Sequence, residues 1–91
     1  MREFYRFPED INKAPNSEGV YLLSKNALES GIVYAGRADD LNQRLSQHPD
    51  PENPCLQKKD ISYFAYEVTS NSESREQELI DKYDPECNRT N

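Results

Sequence analysis

The sequence predicts an α+β (α/β) domain: a small three-stranded, mainly antiparallel sheet flanked by helices in the order β-β-α-β-α. Three observations point there. Residues 19–25, 32–37 and 61–69 (GVYLLSK, IVYAGR and ISYFAYEVT) concentrate β-branched, aromatic and aliphatic side chains, the composition of half-buried strands. Helical apolar spacing follows the second and third of these segments. The connection NALESG between the first two is about six residues long and ends in glycine, which suits an antiparallel hairpin.

Taken in order, residues 1–18 carry Pro8 and Pro15 with weak patterning, and read as an irregular lead-in with one turn of helix. After the hairpin, Asp39 or Asp40 can cap a helix, because a short side-chain oxygen satisfies the amides of a first turn. Leu41 and Leu45 form its apolar stripe, and His48 followed by Pro49 closes it. Residues 49–60, with three prolines, read as a loop. Ser70 and Glu73 have the spacing of a capping box, opening a second helix through about Tyr83, where Pro85 stops it.

The 91 residues suffice for one domain, 1–91, and 34% hydrophobic content makes a thin core. Six tyrosines and three phenylalanines argue against disorder. No apolar run follows a basic start, so no signal peptide is expected, and nothing approaches the roughly 20 apolar residues of a membrane span. A cytoplasmic location follows from that reading. Cys55 and Cys87, with a single histidine in the chain, are too few ligands for a structural zinc site. A disulfide is open to them, but free thiols in a reducing compartment are the expected state. The net charge is -6, with the excess acid in residues 49–91.

Two helical stripes hold residues that a buried face disfavours. In the second helix, Leu79, Ile80 and Tyr83 define a face whose N-terminal continuation, at about 100° per residue, is Glu76 rather than Glu78. A carboxylate there is costly unless it is paired or binds a cation. The alternative is a first-turn acid that complements the helix dipole. In the first helix, Arg44 and His48 lie one turn apart on the shoulder of the Leu41–Leu45 stripe. They are either a cation and an imidazole for a phosphate, or a snorkelling arginine and a helix-terminal histidine. Cation, imidazole and carboxylate together are the parts of phosphodiester chemistry.

In these residues the sequence resembles the GIY-YIG nuclease superfamily, whose members include excision-repair and homing endonuclease domains. GVY at 19–21 and YAG at 34–36 resemble the two halves of the name-giving motif, with Ala35 where Ile or Val is usual. RADDLNQRLSQH and EQELIDKYDPECN resemble the segments that follow, so the likeness runs from Gly19 to Asn88. It implies catalytic roles for Tyr21, Tyr34, Arg44, His48, Glu76 and Asn88. It also implies substrate contacts at Gly36 and Arg37, and a single Mg²⁺ (or Mn²⁺) held by Glu76. The implied activity is a small stand-alone endonuclease that hydrolyses DNA with one divalent ion, with Tyr21 before Tyr34 as general base. An unperturbed tyrosine has a pKa of about 10, so its phenolate costs roughly 4 kcal/mol at pH 7 and needs nearby positive charge from Arg44, Arg37 or the metal. An acidic chain binds duplex DNA weakly by itself, which leaves room for a protein partner that supplies affinity. Two rival readings stand beside this one: a catalytically inactive relative acting as a nucleic-acid- or protein-binding module, and a small interaction protein with chance motif likeness.

Overall fold

A computed structural model of the protein describes residues 3–47 and 54–88, with Gln57 described by its backbone alone. The strands are β1 (Tyr5–Arg6), β2 (Gly19–Ser24), β3 (Ile32–Ala38) and β4 (Tyr63–Val68); the helices are α1 (Leu41–Ser46), α2 (Pro54–Gln57) and α3 (Ser72–Tyr83). The sheet order is β1-β4-β2-β3, with every pairing antiparallel. The expected hairpin forms between β2 and β3, and β4 adds on the far side of β2. Among the described residues the sheet has four strands rather than three. Tyr5 and Arg6 pair with Phe64 and Tyr63, a two-residue strand too short to show a period in the sequence. The expected helical turn in the lead-in is present as a 3₁₀ turn at Ile11–Lys13.

Side-chain alternation along β2 divides the core between the two faces of the sheet. Tyr21 and Leu23 point to one face, where they meet Leu41, Leu45, Leu56 and Phe64. Val20 and Leu22 point to the other, against Ala65 and Leu79 of α3. A bulge between Leu23 and Ser24 lets β3 carry one residue more than β2. The pairs beyond it stay in phase, with Leu23 opposite Tyr34, Tyr21 opposite Gly36 and Val20 opposite Arg37. Tyr34 and Gly36 therefore share the α1 face, while Arg37 shares the α3 face.

Two readings of the segment 49–60 and the tail are corrected. Pro54–Gln57 form a helical turn within what reads as a loop, and a proline is well placed in a first turn because its missing N–H has no partner to lose. That turn brings Cys55 to Cys87 at a Cα–Cα distance of 5.4 Å, and the two form a disulfide instead of remaining free thiols. Lys59 and Glu86 make an ion pair alongside it. The cysteines therefore give no support to a reducing compartment. Among the described residues no helix is long and apolar enough to cross a membrane.

Candidate active site

Gly36 is where the site begins. A Cβ built there would lie 2.7 Å from both Cζ and the hydroxyl oxygen of Tyr21, and 2.8 Å from a ring carbon of Tyr34. Real side chains do not approach that closely, so the two phenols lie against β3 only because residue 36 has none. Their ring centroids are 6.1 Å apart and tilted by 44°. Tyr21 is fully buried and Tyr34 half-buried.

Arg44 reaches the pair from α1. Its Nε donates to the Tyr21 hydroxyl at 3.3 Å. The sequence places it there in two steps. Leu41 and Leu45, both fully buried, seat α1 on the sheet, and the Asp40 carboxylate caps the helix by accepting from the Gln43 amide at 3.1 Å. Asn16 donates to both oxygens of the same carboxylate. Beside Arg44 opens a cleft of about 230 Å³ lined by Ala38, Asp39, Asp40, Gln43, Arg44 and Gln47. Arg44 thus spans the distance between this cleft and the phenols.

Burial pushes the Tyr21 phenol well above its ordinary pKa; the Tyr34 hydroxyl adds to the rise and Arg44 opposes it without prevailing. The Tyr21 phenolate therefore costs more than the roughly 4 kcal/mol of a solvated tyrosine at pH 7. Arg37, one of the charges that would lower this cost, lies on the opposite face of the sheet from Tyr21.

On that face Arg37 meets Glu76. Burial raises the Glu76 carboxyl above the ordinary carboxylate value; the charge and backbone amide of Arg37 work against the rise, and Glu73 adds to it. The helical phase is as the apolar stripe requires: Glu76 is half-buried against β3, whereas the Glu78 side chain is 66% exposed and pairs with Arg75 at 3.6 Å. α3 begins at Ser72 and not at a capping box on Ser70. Its N-cap residue is Asn71, which makes no side-chain cap, and the Asn71 amide instead donates to Thr69 Oγ1. Among the described residues, no three His, Cys, Asp or Glu side chains cluster as a metal site.

Asn88 closes the arrangement at the sheet edge. Its side-chain amide accepts from the Ala35 N–H at 2.7 Å and donates to the Ala35 carbonyl at 2.8 Å, completing the backbone bonds of the motif YAG from outside the sheet. This side chain acts on β3 itself. His48 lies outside the described residues. The fold thus gathers Tyr21, Tyr34, Gly36 and Arg44 on one side of β3, points the Arg37 side chain to the other, brings Glu76 to the Arg37 backbone amide, and clamps the strand with Asn88.

Two polar residues that the sequence reading passed over are also built in. Ser72 is 1% exposed, and its hydroxyl donates to the Glu18 carboxylate at 2.6 Å. The signal was present: the stripe Tyr83, Leu79, Glu76 extends one further turn to residue 72.

A family model described as the GIY-YIG catalytic domain matches residues 17–91. Among solved structures, the chain is similar to the GIY-YIG N-terminal endonuclease domain of UvrC from Thermotoga maritima bound to its catalytic divalent cation, magnesium. That match has 27% identity and a TM-score of 0.70, and covers 91% of this chain and 100% of that one. A single Tyr→Phe variant of the same domain, bound to its catalytic divalent cation, matches at 27% identity and a TM-score of 0.69, over 92% of this chain and 100% of that one. A single Asn→Ala variant, also cation-bound, matches at 27% identity and a TM-score of 0.68, over 89% and 97%. Curated protein sequences gave no match.

Proposed function

The chain belongs to the GIY-YIG catalytic-domain family, and we propose on that basis that it is an endonuclease that hydrolyses DNA phosphodiester bonds with one Mg²⁺ or Mn²⁺ held by Glu76. The observation that supports it best is the meeting of four elements at Gly36 and Arg37. Tyr21 from β2 and Tyr34 from β3 lie against Gly36, Arg44 of α1 bonds Tyr21, and Glu76 of α3 faces Arg37.

Glu76 suits a cation. It is a carboxylate whose desolvation outweighs the compensation from Arg37, so its charged form gains from a further positive charge. A single carboxylate is enough for Mg²⁺ when substrate oxygens complete the shell. When bound, such an ion supplies Lewis-acid chemistry at the phosphate.

The residues of the chain divide the remaining work. Arg44 grips the phosphate that enters from the adjoining cleft, as a guanidinium does for phosphate oxygens. Tyr34, nearer to solvent, is better suited than Tyr21 to take the proton from the attacking water. Tyr21, its phenol raised by burial, keeps its proton and orients Arg44. Gly36 gives its space to the two phenols and not to substrate backbone, and Arg37 holds the ionised form of Glu76. Asn88 keeps Ala35, and with it Tyr34 and Gly36, in register. His48 is assigned an orienting role toward a phenol or phosphate oxygen by its position four residues after Arg44. The net charge of -6 weakens attraction to DNA, so the proposal includes a protein partner that supplies affinity.

Nicking of supercoiled plasmid in Mg²⁺ or Mn²⁺ tests the reading. The wild type is expected to nick, EDTA to stop it, and Glu76→Ala and Arg44→Ala each to slow it by about 100-fold or more. Salt-dependent retardation of DNA with no nicking by the wild type would select the inactive binding module instead.

A further inference from the structure

We infer that Glu18 and Ser72 form a positioning device for Glu76, coupling the first motif of the sheet to the carboxylate proposed to hold the metal. The inference rests on that proposed role of Glu76.

α3 needs an external anchor. The first amides of any helix have no partners within it, and α3 has no side-chain cap at Asn71. Its first turn is held by the short bond from Ser72 Oγ to the Glu18 carboxylate, at 2.6 Å and across 54 positions of sequence, and by Arg75, which donates to both carboxylate oxygens of Glu67 on β4 at 2.9 and 3.2 Å. A hydroxyl donating to a carboxylate is among the stronger hydrogen bonds, and Ser72 is 1% exposed, so no water stands ready to replace its partner. The Glu18 carboxylate also lies at the positive end of the α3 dipole.

Glu18 fixes more than the helix. Its backbone carbonyl accepts from the Thr69 amide at 3.2 Å, which holds the chain as it leaves β4 for α3. The next residue, Gly19, opens β2 two positions before Tyr21. Ser72 and Glu76 are separated by four residues and so project from one side of α3, one turn apart. A displacement at Ser72 is therefore passed directly to Glu76, while the phenols remain set by the hairpin. Glu18 and Ser72 touch no reacting atom; they act through the placement of Glu76.

Metal dependence separates positioning from mere stabilisation. The variants are Ser72→Ala, Glu18→Ala and Glu18→Gln, the last keeping an oxygen that accepts from Ser72. Plasmid nicking is followed against Mn²⁺ concentration well below each variant's melting temperature, and Mn²⁺ binding without DNA is followed from the electron paramagnetic resonance signal of the free ion. Both alanine variants are expected to need about tenfold more Mn²⁺ for half-maximal nicking and for binding, the range seen when supporting partners of a metal ligand are removed. Maximal rates should stay within about threefold of the wild type, and Glu18→Gln should return to within about twofold of the wild-type Mn²⁺ requirement. Lowered melting temperatures with an unchanged Mn²⁺ requirement in both alanine variants would overturn the inference. A wild type that binds Mn²⁺ without nicking defeats the nuclease reading alone, and the binding shift still decides this one. A wild type that does neither overturns both.

Discussion

α1 and α3 deliver the two charged groups of the site, and they are anchored by different means. α1 has a side-chain cap within its own stretch of sequence, where Asp40 accepts from Gln43, and is also held by the lead-in: Asn16 donates to Asp40, and the Leu41 and Asn42 amides donate to the carbonyls of Ser17 and Pro15. α3 carries twice as many residues, twelve against six, yet lacks a side-chain cap; its first turn is anchored by Glu18, 54 residues before Ser72, and by Glu67 of β4, which pairs with Arg75. The arginine proposed to grip phosphate is thus placed by a local cap together with tertiary bonds, and the carboxylate by tertiary contact alone. Local anchoring can be read from a dozen residues. Remote anchoring depends on where the sheet brings the chain back.

Four perturbations sharpen this contrast, the largest first. The disulfide ties α2, downstream of α1, to the tail downstream of α3, so its loss should loosen both regions together. Closing a loop of sequence separation 32 contributes about 3–4 kcal/mol in the chain-entropy picture. Reduction, or Cys55→Ser with Cys87→Ser, is therefore expected to lower the melting temperature by on the order of 15 °C, measured by circular dichroism. An unchanged melting temperature would show that the tail is held without the bond.

Gly36→Ala strikes the α1 face alone. Its Cβ meets the Tyr21 hydroxyl carbon and oxygen at 2.7 Å, an overpacking worth about 1–3 kcal/mol. The variant should remain folded at low temperature while nicking falls by about 100-fold, because a shift of the phenols misplaces Arg44. Full activity would remove Gly36 from the site.

Asp40→Ala removes the local cap of α1 and should cost about 1 kcal/mol, roughly 4–8 °C of melting temperature in a chain of this size. Its Mn²⁺ requirement should not change, in contrast to Ser72→Ala. A raised requirement would mean that the two helices are not anchored independently.

Glu76→Gln has the smallest effect on stability, and its sign is opposite. Because folding raises the carboxyl above its ordinary value, the folded state binds the proton more tightly than the unfolded chain does. The contribution to stability is therefore full below the unfolded pKa and is lost as pH rises through the folded one. At pH 7 without metal, the neutral glutamine should melt at the same temperature as the wild type or higher, while nicking is abolished. For the wild type, Mn²⁺ affinity should climb as pH rises through the raised Glu76 value, since only the ionised carboxylate takes the cation. A clear drop in melting temperature for Glu76→Gln would contradict an under-compensated carboxylate.

Particular residues show how far sequence reasoning reaches. The hairpin was legible because β-branched and aromatic runs flank a glycine-ended connection, and Tyr21 and Gly36 fall opposite each other in it. The phase of Glu76 against Glu78 was legible because three apolar residues fixed the helical angle. The start of α3 was misjudged. Ser70 and Glu73 have capping-box spacing, but the helix starts only at Ser72, whose hydroxyl is taken up by Glu18 from across the fold. Strand β1 was missed because two residues carry no period, and they become a strand only when β4 offers an edge.

By itself, the amino-acid order determined the three long strands, the antiparallel hairpin, the stripe that seats α1 and the inward phase of Glu76, since each depends on neighbours within about ten residues of chain. Tertiary structure alone decided the rest: the Asn88 clamp on Ala35, the union of Cys55 with Cys87 and the Glu18–Ser72 anchor. Each of those joins segments more than 30 positions apart. A side-chain pattern records its own element's periodicity, and holds no record of what the closed sheet will bring against it.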